Sequence, residues 1–267
     1  MAENNQSSWK DCLIVGAALE AGKIGMNYFR KDTTDIWYKS GNSPVSQADR
    51  EIDLYLKEHL SVARPDFAWL SEESEDNTAR LDAQRLFVVD PIDGTRGFIN
   101  GSDQWCISIA IVEDGSPVEG VLHAPALGKT IYARKGFGAY LDGREITREL
   151  SNRACPLVTG SKKLIETIEN LPGKPMDAEP FIPSLAYRLG LVATGDLDGA
   201  FARGGASEWD IAAADIILRE SGCNLTNQYG HEIRYNRENV TSPPLVAAPI
   251  ETHDKILGLA NSTGILH

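Results

Sequence analysis

The sequence predicts a mixed α and β protein (α+β passing into α/β), with an α+β half over residues 1–150 and an α/β half over residues 151–267. Three observations lead there. Apolar residues recur at helical spacing in two early segments; strand-like runs joined by glycine turns fill the stretch from Phe67 to Ile146; and beyond Leu150 short apolar runs alternate with helical patterns. The totals permit a large core, since 267 residues with 42% hydrophobic and 24% charged content are those of an ordinary soluble globular protein, neither disordered nor fibrous.

Taken in order, Leu13, Ile14, Ala17, Ala18, Ala21, Ile24 and Tyr28 keep helical spacing and predict an amphipathic helix from Trp9 to about Phe29. A second helix is expected from Gln47 to about Leu60, with Ile52, Leu54, Tyr55, Leu56 and Leu60 as its apolar members and Ser46 or Asp49 as its cap. "FAWL" and "RLFVVD" are short strands, "CISIAIVEDGSPVEGVLHAP" is a hairpin turned at Asp114 and Gly115, and "TIYARKGFGAYLDGREI" adds further β structure. In the second half come "PLVTG", a helix near Lys162 to Asn170, "YRLGLVATG", "GAFAR", and the strong helix "EWDIAAADIILRESG", stopped by Gly222. "LPGKPMDAEPFIP" is the one proline-rich linker.

Charge narrows the function. With 26 basic and 38 acidic residues the formal charge is −12, and no cluster of Lys and Arg is long enough to track a phosphate backbone, so nucleic acid is a poor partner. An acidic protein repels a phosphorylated substrate at long range; phosphate chemistry would need a local reversal of sign, most simply from bound divalent cations. Cys12, Cys106, Cys155 and Cys223 lie far apart and form no C-x-x-C pair, which speaks against a zinc ribbon or a thioredoxin-like motif and leads us to expect reduced thiols in a cytoplasm. No run approaches eighteen apolar residues and no basic leader is present, so neither export nor a membrane span is expected.

"VVDPIDGTRGF" carries the chemistry. The run Leu86 to Val89 reads as a buried strand, and Pro91 cannot continue a ladder, so the strand is expected to end there with Asp90 at the mouth of the sheet. Gly94 permits a tight turn, and Thr95 begins a helix whose free N–H groups can hold a phosphate. Two carboxylates beside an anion cradle make sense if metal ions lie between them. "WLSEESED" ends another short strand in Glu72 and Glu73, and "EWDIAAAD" places Asp210 in a first helical turn after Glu208. Mg²⁺ wants several oxygen ligands, which three separate segments could supply, and no His pair at metal spacing argues for zinc. Singly, each piece has a plainer reading: a solvated turn for Glu72 and Glu73, a helix cap for Asp210 and for Asp49. Their combination carries the argument. Trp105, Cys106 and the stripe Ile211, Ala214, Ile217, Leu218 are expected in the core, and His59 and His123 are expected to be structural or superficial.

"SEES", "DPIDGTRGF" and "EWDIAAAD" together resemble the inositol monophosphatase superfamily, over a span from Asp49 in "SQADREID" to Gly222. The resemblance implies a layered αβαβα sandwich, two to three Mg²⁺ ions, inhibition by lithium and a homodimer. It implies Glu72, Asp90 and the carbonyl of Ile92 as ligands of one metal, Asp90, Asp93 and Asp210 as ligands of a second, and Glu72 at the border of a third. Asp49 would hydrogen-bond Thr95, the pair orienting the attacking water, and the backbone of Gly94 and Thr95 would hold phosphate oxygens. The implied reaction is hydrolysis of a small phosphorylated metabolite, in which cations make water acidic enough to supply hydroxide and stabilise the leaving alkoxide. A rival, the D-x-D-G-T motif of haloacid-dehalogenase-like phosphatases, needs an acid where this chain has Pro91.

The resemblance puts inositol-1-phosphate first among expected substrates, as the superfamily's most widespread activity. Seven residues before Asp210, where inositol monophosphatases usually carry a glutamate, this chain has Arg203. That looks more like the 3′(2′),5′-bisphosphate nucleotidase branch, where a cation could pair a second phosphate; a surface ion pair is the plainer alternative. With Arg203, the substrate contacts expected are Asp93, Gly94, Thr95 and Asp210. "AYRLGLVATG" and "DGTRGFINGSDQW" have echoes of the histidinol-phosphatase branch. A regulatory partner in RNA processing or transcription is the alternative of a different class, and no positive feature supports it.

Overall fold

In the computed structural model the described residues are 9–31, 35–38, 44–149 and 151–266. Helix α1 spans Leu13–Tyr28 and helix α2 spans Gln47–Ala63, with a two-stranded ribbon, β1 Ile36–Tyr38 and β2 Pro44–Ser46, between them. Ser46 and Asp49, the two candidate caps of α2, act together: Asp49 Oδ2 accepts the Ser46 N–H at 2.7 Å and the Ser46 hydroxyl at 2.6 Å, closing a capping box.

A seven-stranded sheet follows, ordered as in the chain: β3 Ala68–Ser71, β4 Arg85–Asp93, β5 Cys106–Glu113, β6 Ser116–Ala124, β7 Lys129–Arg134, β8 Ala139–Leu141 and β9 Arg144–Glu145. β3 and β4 are parallel and the remaining pairs antiparallel. The expected hairpin turn stands at Asp114 and Gly115, with φ of 50° and 75°, the left-handed pair that two-residue hairpins use. Short helix α3, Thr95–Ile99, leaves the end of β4. A five-stranded sheet, in the order β11-β10-β12-β14-β13, is built from β10 Leu157–Thr159, β11 Asp177–Ala178, β12 Gly199–Ala202, β13 Cys223–Asn227 and β14 Leu245–Pro249. Its helices are α4 Lys162–Glu169, α5 Leu185–Thr194, α6 Glu208–Glu220 and α7 Ile250–Ser262. "YRLGLVATG" thus lies in a helix, begun by the Ser184 cap and ended by Gly195, and the proline-rich linker contributes the edge strand β11.

Strand alternation sorts the layers. Along β4, Phe87 and Val89 face the core shared with α1 and α2, whereas Leu86 and Val88 face α5 and α6. Along β14, Leu245 and Ala247 face that same middle layer from the other side, and Val246 and Ala248 face α4 and α7. The result is the expected αβαβα sandwich, with the middle core drawing residues from both sides of position 150. Helix α6 presses so closely on β6 that a Cβ at Gly120 would stand 2.6 Å from Ile216 and 2.7 Å from the Ala213 carbonyl, so the site's helix is seated on a glycine. The predicted core residues Trp105, Cys106, Ile211, Ala214, Ile217 and Leu218 are all fully buried.

One expectation needs correction. β4 does not end at Pro91: it runs to Asp93, which pairs with Cys106, after a register shift that follows the Asp90–Ser108 pair. Pro91 and Ile92 occupy that bulge, where the missing proline N–H costs no ladder bond and the Ile92 N–H turns to Asp90 Oδ1 at 3.0 Å.

Candidate active site

Sheet register brings the acids together. Ser71 pairs with Val89 in the parallel β3–β4 ladder, and the Glu72 N–H donates to the Val89 carbonyl at 3.2 Å, so Glu72 stands beside Asp90. Asp90 pairs with Ser108, whose hydroxyl donates to the Trp209 carbonyl at 3.1 Å, drawing the first turn of α6 and Asp210 to the same place. Carboxylate oxygens of Asp90, Asp93 and Asp210 lie within 4.8 Å of one another. Glu72 falls outside that tight group, yet its charge reaches both Asp90 and Asp210.

Burial and mutual repulsion oppose ionisation here. Asp90 is held well above the usual carboxylate range first by burial and then by Glu72, Asp93 and Asp210; Asp210 is held there by burial and then by Asp93. Burial pushes Asp93 up to about 6, against the pull of Ser184, Ala186 and Arg188. Asp93 Oδ2 accepts the Ser184 hydroxyl and, at 2.7 Å, the Ala186 N–H, which ties this ligand candidate to the start of α5. Asp210 closes its own capping box, its Oδ2 accepting the Ser207 N–H at 2.7 Å, so the cap reading and the cluster reading hold at once.

Asp49 is fully buried and burial pushes it up to about 6. Its Oδ2 is spent on Ser46, leaving Oδ1 for the Thr95 hydroxyl at 3.2 Å; that hydroxyl also lies 3.0 Å from the Ile92 carbonyl. Gly94, at φ 94°, makes the turn that no side chain would enter without strain, and a Cβ there would meet the Ser184 backbone at 3.1 Å. Arg203 is exposed on the connection between β12 and α6 and makes no ion pair among the described residues, so the plainer reading of it as a surface pair finds no partner.

Sequence reasoning missed three side chains here. Asp53, one turn beyond Asp49 on α2, accepts the Ser71 and Ser74 hydroxyls at 2.5 and 2.6 Å and so brackets Glu72 and Glu73. Ser184 is the second. The third is Arg188, 8% exposed, whose Nε donates to the Ser184 carbonyl at 3.2 Å and whose Nη1 has no partner among the described residues. Its signal was a lone cation in the apolar run "AYRLGLVA". His123 is structural as expected, bonded at 2.9 Å to Thr130. A groove lined by Arg64, Arg85, Arg134 and Arg234 lies at the opposite end of the seven-stranded sheet and includes none of these carboxylates.

Among the described residues no helix is long and apolar enough to cross a membrane. The chain is 32% identical over 243 residues to the 3′(2′),5′-bisphosphate nucleotidase CysQ of Aggregatibacter actinomycetemcomitans, covering 87% of this chain and 90% of that one. It is 30% identical to an inositol-1-monophosphatase of Mesorhizobium japonicum, over 82% and 85% of the two chains. The solved extragenic suppressor protein suhB of Bartonella henselae superposes with a TM-score of 0.80 at 29% identity, covering 92% of this chain and 96% of that one. Residues 8–263 match the model of the inositol monophosphatase family; the chain belongs to that family and is a phosphatase, a phosphoric monoester hydrolase.

Proposed function

We propose that the protein hydrolyses one phosphate of a small metabolite that carries a second anionic group, a reaction of the 3′(2′),5′-bisphosphate nucleotidase type, with Mg²⁺ held by Asp90, Asp93, Asp210, Glu72 and the Ile92 carbonyl. Arg188 carries the substrate choice. Burial lowers its pKa while Asp93 and Asp210 raise it, and a guanidinium keeps its charge under such conditions, so a nearly buried positive charge stands beside these carboxylates and would attract an anionic substrate group. Arg203, exposed, with no ion pair among the described residues and seven residues before Asp210, adds a second cation. Inositol-1-phosphate, the first expectation from sequence, offers no second anion to either residue; similarity to an inositol-1-monophosphatase keeps it among the substrates to assay.

The donor set fits a hard divalent cation: every candidate ligand is an oxygen, and three acids crowded within 4.8 Å repel one another unless positive charge lies among them. Such a cation, when bound, supplies charge neutralisation and a more acidic water. The chain's own residues do the rest. Asp49, anchored through Oδ2, accepts the Thr95 proton and leaves the hydroxyl lone pairs to orient the attacking water; the Gly94 and Thr95 backbone N–H groups hold phosphate oxygens. Asp53 keeps Glu72 in place through the flanking serines.

Family membership supports two to three ions, lithium inhibition and a homodimer; four free cysteines, two of them buried, support a reducing cytoplasm. The two larger sheets, one on each side of residue 150, support a division into two halves there, and the convergence of Asp90, Asp93 and Asp210 supports turnover over a purely regulatory role. The test is turnover of adenosine 3′,5′-bisphosphate, inositol-1-phosphate and histidinol phosphate by wild type and Arg188→Met. We expect the bisphosphate to be the best substrate, with its KM raised at least tenfold in the variant; faster hydrolysis of inositol-1-phosphate, indifferent to Arg188, would reject the reading.

A further inference from the structure

The glutamate of "EWD" has no part in the chemistry above, yet Glu208 is fully buried. Its carboxylate accepts the backbone N–H groups of Asn236 at 2.7 Å and Arg237 at 3.1 Å, and lies 3.4 Å from the Arg237 guanidinium. Asn236 sits at φ 58°, a left-handed conformation that asparagine tolerates better than most residues. Arg80, 2% exposed, grips the same turn from the other side. Its Nη1 donates to Asn236 Oδ1 at 2.9 Å, its Nη2 donates to the Arg237 carbonyl at 3.0 Å, and the Asn236 amide returns a bond to the Arg80 carbonyl at 2.8 Å. The other edge of the guanidinium clasps Asp76, at 2.7 and 2.9 Å.

These bonds close a path between the two ends of the metal site. Asp76 lies four residues after Glu72, and Glu208 lies two residues before Asp210. Between Glu72 and Asn77 the chain has neither helix nor strand, so side-chain bonds must supply the order that a ladder would otherwise give. Asp53 holds the near end of this stretch through Ser71 and Ser74; the Arg80 turn holds the far end against the first turn of α6. With the far end loosened, Glu72 would be free to move relative to Asp210 with every ligand residue unchanged.

We propose that Arg80, Asn236 and Glu208 are positioning residues that set the reach from Glu72 to Asp210 and thereby the cation affinity of the site. The inference rests on the metal site proposed above. A network that served only the stability of the fold would lower the melting temperature and leave the affinity of the folded protein unchanged.

Calorimetric titration of metal-free wild type and Glu208→Gln with Mg²⁺ separates the two, alongside thermal melts in chelator. The glutamine side chain can accept one of the two backbone bonds but does so without charge, and we expect Mg²⁺ to bind more than threefold more weakly. A folded variant that binds within threefold of wild type overturns the inference, whatever its melting temperature. Should Glu208→Gln fail to fold, Asn236→Gly is read against the same threefold line: glycine suits the left-handed φ and removes only the two side-chain bonds with Arg80. Wild type that bound no Mg²⁺ would remove the metal site itself, and this inference with it.

Discussion

Asp93→Asn should make the metal-free protein more stable while abolishing its activity. The Asp93 carboxylate meets Ser184 and Ala186 through a single oxygen, and an asparagine carbonyl can accept both of those bonds. What the substitution removes is a buried charge beside Asp90 and Asp210. Burial raises the Asp93 pKa from 3.8 to about 6, so its contribution to stability is fully present below the unfolded value and is lost as pH rises through about 6. At pH 7.5 the penalty is therefore complete, about 3 kcal/mol for a displacement of this size. In a chain this long that corresponds to roughly 6 to 10 °C of melting temperature. Thermal melts in chelator should show Asp93→Asn above wild type by that order, and melts in saturating Mg²⁺ should reverse the ranking because the variant lacks one of the proposed ligands. A variant that melts at or below wild type in chelator would refute the claim that uncompensated charge is stored in this cluster.

The same electrostatics predict that metal-free wild type has a higher urea midpoint at pH 5 than at pH 7.5. Asp49 and Asp93, both pushed up to about 6 by burial, take up protons in the folded state before unfolded carboxylates do, and Asp90 and Asp210 shift in the same direction. His123, lowered to about 4 by burial, opposes them as pH falls below its unfolded value of 6.5, while buried Glu208 and Asp215, also raised by burial, add to the four aspartates; a midpoint higher at pH 7.5 would contradict this balance. Thr95→Ala should lower kcat by about a hundredfold with KM within threefold, if its hydroxyl orients water as proposed and does not hold substrate; a change confined to KM would oppose that role. Gly120→Ala should cost about 2 to 3 kcal/mol in urea unfolding, because neither Ile216 nor the α6 backbone can withdraw far from the new methyl group; a loss below about 0.5 kcal/mol would show that α6 sits more loosely than its contacts imply.

Much of this site is legible in one dimension because it is built where strands and helices end. Apolar runs closing in "SEES" and "DPIDGT" disclose strand termini, and an acid three residues after Ser207 discloses a helix start. Pro91 misled because a bulge absorbs a residue that a regular ladder would reject, and the sequence carries no separate mark for a bulge. Asp49 was open to two readings, cap or partner of Thr95, and a carboxylate with two oxygens serves both. Ser184 and Arg188 reach the site, and Arg80 reaches the turn beside it, from segments whose proximity depends on how the two sheets stack across α5 and α6, a long-range outcome that local periodicity does not encode. Arg188 hid further, as one charge in an apolar helix that packing alone explains.

Anomalous diffraction from crystals grown with Mn²⁺ in place of Mg²⁺ tests the central claim most directly. The account predicts density for a cation bonded by oxygens of Asp90, Asp93 and Asp210. Crystals that turn over a phosphate ester while their cation sits elsewhere, leaving those three carboxylates without one, would contradict it.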